Sequence, residues 1–361
     1  MQRFLSHALA VGALLLGCGP ERRPHPGELV YESARLEVYV DEKLELCGGS
    51  VPYMESFLDD VEARYGLAPE ERIAYHLTPD PSAFCMRDVA ACALDSFIYA
   101  KDAPSTHELA HAIRSHVASS PIEEGFAEML GTGLGPLGGG ERRNGDSVAA
   151  VQFEGDTLGG DLYGSAARFM QAVEQDFGVA LVLELLERTG PSTSFDEFSV
   201  LFAELAQTDI IAYAEALDAT VCSGAGNSWV LPACSSAAAH QLGESGETPL
   251  VWIADSNCTS PDAIGEWLGG YWIERVVEIP EVEFNFGYLR IEQTETVDEA
   301  VEITADRCGS CDEWQHNPWE FDYFTESEQV AEPGRWVIRL YAPLDVDIQG
   351  ELVVRYDPAF P

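Results

Sequence analysis

The chain has 361 residues, 46% of them hydrophobic, which is enough for a buried core in one large unit or two ordinary ones. Its 62 acidic residues outnumber 20 basic ones, for a formal net charge of −42. A polyanion of this kind repels nucleic acid and anionic lipid, so no nucleic-acid partner is expected, and a strongly solvated surface is the plain reading of the charge.

At the N-terminus Arg3 precedes the run ALAVGALLL, too short to span a bilayer and read as the core of a signal peptide over 1–17. The ending Leu15-Leu16-Gly17-Cys18 resembles a bacterial lipobox. That resemblance implies a lipidated Cys18 as first mature residue and a membrane attachment through the lipid anchor only. It implies an exported bacterial lipoprotein of the cell envelope, and Gly19 after the Cys points to the outer membrane. Residues 18–34, rich in Pro and charge, read as a tether.

Next in chain order, RLEVYVD (35–41) alternates as a strand, and 50–66 has helical spacing at Met54, Phe57, Leu58 and Val61 before Gly66. RIAYHL (72–77) and SFIYA (96–100) are short strands, and PIEEGFAEML (121–130) opens on a Pro suited to a helix start. The glycine-rich stretch 131–146 is a loop without the Gly-Lys-Ser/Thr ending of a phosphate loop. Four amphipathic helical segments follow over 161–178, 179–190, 194–208 and 209–219. After about 245 the texture is β-rich: LVWIADS, YWIERVVEI, EFNFGYLRIEQ, AVEITAD, RWVIRLYAP and ELVVRY. The expected fold class is α+β, with a mixed sheet-and-helix domain over 35–243 and an all-β sandwich over 244–361.

Besides Cys18 there are eight cysteines, an even number that predicts disulfides in an exported chain. Cys85 with Cys92 and Cys222 with Cys234 are the favoured local pairs. Cys308-Gly-Ser-Cys311 lacks the strand–helix context of a redox motif and reads as a small structural bridge. Cys47 and Cys258 are left over, and the spacing does not pair them.

The chemistry concentrates at Ser105-Thr106-His107-Glu108-Leu109-Ala110-His111. On a helix, positions i and i+4 share a face, so His107 and His111 can ligate one ion, and Glu108 stands beside the first ligand where it can serve as a base. A catalytic zinc needs a third protein ligand, and twelve residues after His111 the segment Glu123-Glu124-Gly125-Phe126-Ala127-Glu128 offers carboxylates.

This pair of motifs resembles the gluzincin metallopeptidases, whose second helix carries a ligating Glu in an Asn-Glu-Gly-Phe-Ala type motif. The resemblance implies one Zn2+ ion held by His107, His111 and Glu124, with Glu108 as the acid/base catalyst. Glu128 lies one turn beyond Glu124 and would accept a hydrogen bond from a ligating imidazole. LYGSAARFMQAVEQDFG is similar to an aminopeptidase-type helix that begins with a Tyr, which makes Tyr163 the phenol facing the oxyanion. The Lys-Gly that follows that Tyr in the family is replaced here by Ser165-Ala166. The resemblance further makes 96–100 the edge strand that pairs with a peptide or protein substrate. The late strands look similar to the β-sandwich domains appended to secreted bacterial peptidases.

Plainer readings stand beside these. Ser105 and Glu108 fit a capping box. Glu123 is expected at the solvent near its helix start, and His116 as an ordinary surface histidine. The functional alternative is an inactive peptidase-like surface lipoprotein that binds a protein or polymer. Hydrolysis of a non-peptide amide would use the same metal chemistry. Cleavage specificity and oligomeric state do not follow from the sequence.

Overall fold

The computed structural model describes residues 26–358 apart from 86–88, 115, 132–145, 155–157, 159–161, 220–233, 235–237, 244–247, 268, 282–286, 296–300, 309–325 and 332. Cys18, Cys222, Cys311, the signal-peptide run and nearly all of the glycine-rich stretch therefore lie outside the described residues.

The first part of the chain is organised on a five-stranded sheet made of β1 (Glu28–Glu32), β2 (Leu36–Val40), β3 (Ile73–Leu77), β4 (Ala91–Leu94) and β5 (Phe97–Ala100). The strand order is β1-β2-β3-β5-β4. Pairing is parallel from β2 through β3 to β5 and antiparallel at both edges. In β2, Leu36, Val38 and Val40 are buried while the residues between them are half-buried, so one face meets the core. β3 is buried at every position, as a central strand covered on both faces must be.

Two expectations need correction here. The reading of 18–34 as a tether extends too far, because Glu28–Glu32 joins the sheet as an outer strand; four of its five residues are exposed, so no apolar alternation marks it. The segment 96–100 is not the edge of the sheet. β5 is hydrogen-bonded on both sides, and the outer strand is β4, which folds back antiparallel on it.

The helices are α1 (Ser50–Tyr65), α2 (Thr106–Ala112), α3 (Ser120–Leu130), α4 (Ser147–Val151), α5 (Tyr163–Phe177), α6 (Val179–Arg188), α7 (Phe195–Ala206) and α8 (Ile210–Ala219). The apolar stripe of α1, Met54, Phe57, Leu58 and Val61, is buried in a core shared with β2, β3, β5 and the later helices. Gly66 ends α1 in a left-handed conformation (φ 68°), its N–H bonded to the Glu62 carbonyl. The four amphipathic segments after residue 161 are α5 to α8, and α7 opens with a complete capping box between Ser194 and Glu197.

From residue 240 onward the described elements are all strands: β6 (His240–Gln241), β7 (Leu250–Ser256), β8 (Ile264–Trp267), β9 (Gly270–Ile279), β10 (Gly287–Glu295), β11 (Glu302–Arg307), β12 (Glu326–Ala331), β13 (Gly334–Pro343) and β14 (Ile348–Pro358). They form one sheet in the order β12-β10-β14-β7 and a second in the order β11-β13-β9-β6, with β8 also on β9. Trp252, Leu289, Leu352 and Tyr356 from the first sheet share a core with Ile273, Trp336, Ile338 and Leu340 from the second. The chain is thus mixed α+β. Because β6 pairs with β9, the β part begins before residue 244, where the sequence texture places the change.

The disulfides depart from the local-pair reading. Cys85–Cys92 forms as expected, but Cys234 is bridged to Cys308, which overturns both the Cys222–Cys234 pair and the small bridge read for Cys308 with Cys311, and Cys47 is bridged to Cys258. Cys308 donates its N–H to the Arg335 carbonyl, and Arg335 donates its Nη1 to the Cys234 carbonyl at 3.0 Å. Sheet pairing, not sequence proximity, therefore brings Cys234 to Cys308. These bridges belong with an oxidising compartment. Among the described residues no helix is long and apolar enough to cross a membrane.

The Cys47–Cys258 bridge is one part of a seam between the two cores. Backbone N–H groups of Cys47, Gly48 and Gly49 donate to the carbonyls of Gly265, Cys258 and Ala263 at 3.1, 2.8 and 2.7 Å. A side chain at Gly49 would bring Cβ within 2.8 Å of the Ala263 oxygen, so this close approach requires glycine. Ser50 Oγ and the Gly265 backbone bond reciprocally, and Tyr53 on α1 meets Trp272 on β9 edge-on at 6.0 Å. Replacing Cys47 and Cys258 together by Ser is expected to lower the unfolding free energy by about 2–4 kcal/mol. Denaturant titration under non-reducing conditions measures it, and an unchanged midpoint at unchanged slope counts against the bridge as a clamp.

Candidate metal centre

The entry into α2 is fixed from the sheet. The phenol of Tyr75, buried on β3, donates to the Asp102 carbonyl at 2.7 Å and accepts the Ser105 N–H at 3.0 Å. Ser105 stands at the N-cap of α2, yet its side chain makes no capping bond. The capping box expected for Ser105 and Glu108 is therefore not formed, because Tyr75 already satisfies the N–H that a Glu108 side chain would take. Glu108 is half-buried and its carboxylate makes no hydrogen bond among the described residues.

Helix α3 runs antiparallel to α2, so His107 faces Glu128 and His111 faces Glu123 and Glu124. Gly131 makes this hairpin possible at its open end, since any Cβ there would collide with the backbone of Thr106 and His107. On the other flank Gly125 admits α5, because a Cβ would lie 2.7 Å from the Ala166 oxygen. That approach brings the first residue of α5, Tyr163, over His107 with ring centroids 5.7 Å apart and 16° between planes.

Three lone-pair atoms converge between the helices. His107 Nε2 and His111 Nε2 are 3.1 Å apart, and Glu124 Oε2 lies 3.2 Å from the first and 3.3 Å from the second. A tetrahedral ion with bonds of about 2.0–2.1 Å separates its ligands by about 3.3–3.4 Å, so the triangle fits one face of such a shell. His107, His111 and Glu124 thus form a group that can hold a metal ion, and it is the one such group of three or more among the described residues.

The far nitrogen of each imidazole is held by a carboxylate. His107 Nδ1 donates to Glu128 Oε2 at 3.2 Å, the orienting contact anticipated for Glu128. His111 Nδ1 donates to Glu123 Oε1 at 3.1 Å. Glu123 is therefore not the solvent-facing residue expected near the helix start: it is buried, and its second oxygen accepts from Arg114 at 2.6 Å and from the Ala118 N–H at 2.9 Å. Sequence reasoning missed Glu123 and Arg114. The Glu123-Glu124 doublet was the available signal, but helix phase alone did not show that both carboxylates turn inward. His116 is exposed, as expected, with its Nε2 2.8 Å from the Thr189 carbonyl.

With both Nδ1 atoms committed to carboxylates, the converging Nε2 atoms and Glu124 need protons or a cation between them. Burial pushes His107 toward its neutral form, but hydrogen bonds to Glu124 and Glu128 and the charge of Glu108 outweigh it and hold its pKa well above the ordinary value. His111 is pushed up to about 9 by Glu123 and Glu124 against the same burial and the repulsion of His107. Burial alone would raise the Glu124 carboxyl, yet the two imidazoles draw it far below the usual range. Glu123 is likewise lowered, against burial, by His111, Arg114 and the Ala118 N–H. A divalent cation supplies the same positive charge.

Compared with known proteins, the chain matches no family model and no curated protein.

For metal-free protein the pH dependence has a definite sign. His111 rises from 6.5 to about 9 on folding, so the stability tied to its proton is complete below pH 6.5 and is lost as pH climbs through about 9. The melting temperature of chelator-treated protein should fall across that window, and the fall should be smaller in His111→Gln, where only His107 retains a raised pKa. One equivalent of zinc should reverse the trend, because the ion displaces the protons. Scanning calorimetry between pH 6 and 9.5 checks both, and a wild-type profile that is flat without metal contradicts the assignment.

Proposed function

We propose that this protein is an exported, zinc-dependent peptidase of gluzincin type, anchored to the bacterial cell envelope through lipidated Cys18. The observation that carries this reading is the triangle of His107, His111 and Glu124 with Glu108 beside it on α2, its carboxylate uncommitted among the described residues. The donor set, two imidazoles and one carboxylate, is that of a catalytic zinc site, which keeps its fourth position for water or substrate. When bound, zinc supplies Lewis-acid polarisation of water and of a substrate carbonyl.

The chain's own residues supply the rest. Glu108 takes a proton from the attacking water and returns it to the leaving amine. Tyr163, stacked on His107, places a phenol beside the ligand set, where it donates to the carbonyl oxygen as that oxygen gains charge. Glu123 and Glu128 fix the tautomers that point both Nε2 atoms at the ion.

The substrate strand docks on β4, the outer strand lying against α2. The Lys101 N–H bonds to the Ala90 carbonyl, and antiparallel ladders alternate, so Cys92 and Leu94 bond inward to β5. Ala91 and Ala93 then direct their N–H and C=O groups outward, ready for an extended peptide. The Cys85–Cys92 bridge ties this strand back to the turn at Pro81–Ala83. The β sheets after residue 240 form the appended β-sandwich of this reading.

Glu108→Gln is expected to keep stoichiometric zinc while hydrolysis of a peptide library falls by about 10²-fold or more. Metal analysis and mass spectrometry of cleavage products read the two quantities. Zinc retained with no hydrolysis in either protein sinks the enzyme reading and leaves a peptidase-like binding lipoprotein. A wild type that takes up no zinc, or a different metal, sinks the zinc site itself.

A further inference from the structure

The turn between α2 and α3 carries a buried cation that the proposed reaction does not use. Arg114 spans two elements with one guanidinium: Nη1 meets Glu123 Oε2 at 2.6 Å, and Nη2 donates to the Leu186 carbonyl at 2.8 Å. Both charged side chains are nearly sealed, at 8% and 9% exposure, so neither is a screened surface partner. Leu186 lies in the last turn of α6, where a helix carbonyl has no intrahelical donor, and Arg114 supplies one. The same helix end holds the turn twice more, through His116 Nε2 2.8 Å from the Thr189 carbonyl and through the Ser119 N–H on Thr189 Oγ1 at 3.2 Å.

We propose that Arg114 is a positioning residue for the metal centre: it orients His111 through Glu123 and takes its own placement from the C-terminal end of α6. This rests on the metal-site reading above. The chain of contacts is continuous from Leu186 O to Arg114, from Arg114 to Glu123 Oε2, and from Glu123 Oε1 to His111 Nδ1. Each Glu123 oxygen has a separate duty, one on the imidazole and one on the guanidinium and the Ala118 N–H.

The physical need for Arg114 follows from its surroundings. Glu123, Glu124 and Glu128 stand on one helix facing the same pair of imidazoles. A third buried carboxylate without a cation would be strongly unfavourable, and relaxing it would move it off His111. The guanidinium also has the shape for the task. Its planar fork reaches a carboxylate and a carbonyl at once, which a lysine ammonium on a flexible stem does not reproduce. His107 is braced differently, by Glu128 within α3, so the two ligands have separate supports and the effect is confined to His111.

The test uses the full mature chain and zinc alone, with affinity measured by competition against a chromogenic chelator. Arg114→Met should weaken zinc binding about 10–100-fold, the range seen when a partner behind a metal ligand is removed. Glu123→Gln should weaken it as well, and the Arg114→Met/Glu123→Gln double variant should bind no more weakly than the worse single one, because both act through His111. Cobalt(II) loaded into Arg114→Met should show altered visible bands, a change that loosened packing at α6 does not produce. If Arg114→Met does not fold, Arg114→Lys takes its place and should lose affinity in the same direction. Affinity within twofold of wild type, or losses that multiply in the double variant, overturns the proposal. A wild type that binds no zinc overturns the metal reading instead, so the two failures are distinguishable.

Discussion

Three electron-rich atoms held 3.1 to 3.3 Å apart between two helices repel one another unless positive charge lies among them. Much of the first half of the molecule is arranged to impose this crowding. Tyr75 sets where α2 begins, Gly131 lets the end of α3 lie on that beginning, and Gly125 lets α5 close the other side. Carboxylates behind both imidazoles prevent the rings from rotating away. A set of groups that would separate if free is held together by packing, which is the preorganisation an ion needs for tight binding.

The support for α5 shows how far this reaches. Glu174 on that helix pairs with Arg64 and accepts from the Tyr65 phenol at 2.7 Å, so α5 is tied to α1 across the core. Tyr65 also meets Phe126 of α3 edge-on at 5.2 Å. The helix that carries Tyr163 and the helix that carries Glu124 therefore both rest on Tyr65 of α1. Helix α1 is itself clasped at its start by the β part of the chain. Through α1 the later sheets are joined to the half that carries the candidate metal site.

What the sequence discloses and withholds follows a physical pattern. Periodicity marks β2, α1 and α5 to α8 because each buries one stripe or face over several residues, and β3 shows as a short apolar run because it is buried on both faces. It passes over β1, which exposes most of its side chains, and β6, which has two residues. The ligand set is legible because ligation demands particular residue types at helical spacing. Glu123 and Arg114 are not, since an acid and a base at helix ends are ordinary surface features until the fold encloses them. Cysteine spacing misled for a related reason: the ladder between β11 and β13 decides which sulfur meets Cys234, and that ladder joins residues far apart in the chain. The placement of 96–100 at the sheet edge failed by one strand, because the hairpin through Asp95 adds β4 outside it.

The seam at Cys47, Gly48 and Gly49 has a consequence for the order of events during biogenesis. The acceptors for these three N–H groups emerge some two hundred residues later, as the 211-residue separation of Cys47 and Cys258 records. Contacts of such range close late, after the local helices and hairpins have formed. The ligand residues 107 to 128, by contrast, lie close together on one helical hairpin. The candidate ligand set can therefore assemble before the chain is complete, while the clasp on α1 waits for the last third to arrive and for an oxidant to join the two sulfurs. A precursor stalled before residue 258 would own the candidate ligands His107, His111 and Glu124 and lack the fastening of the helix that underlies them.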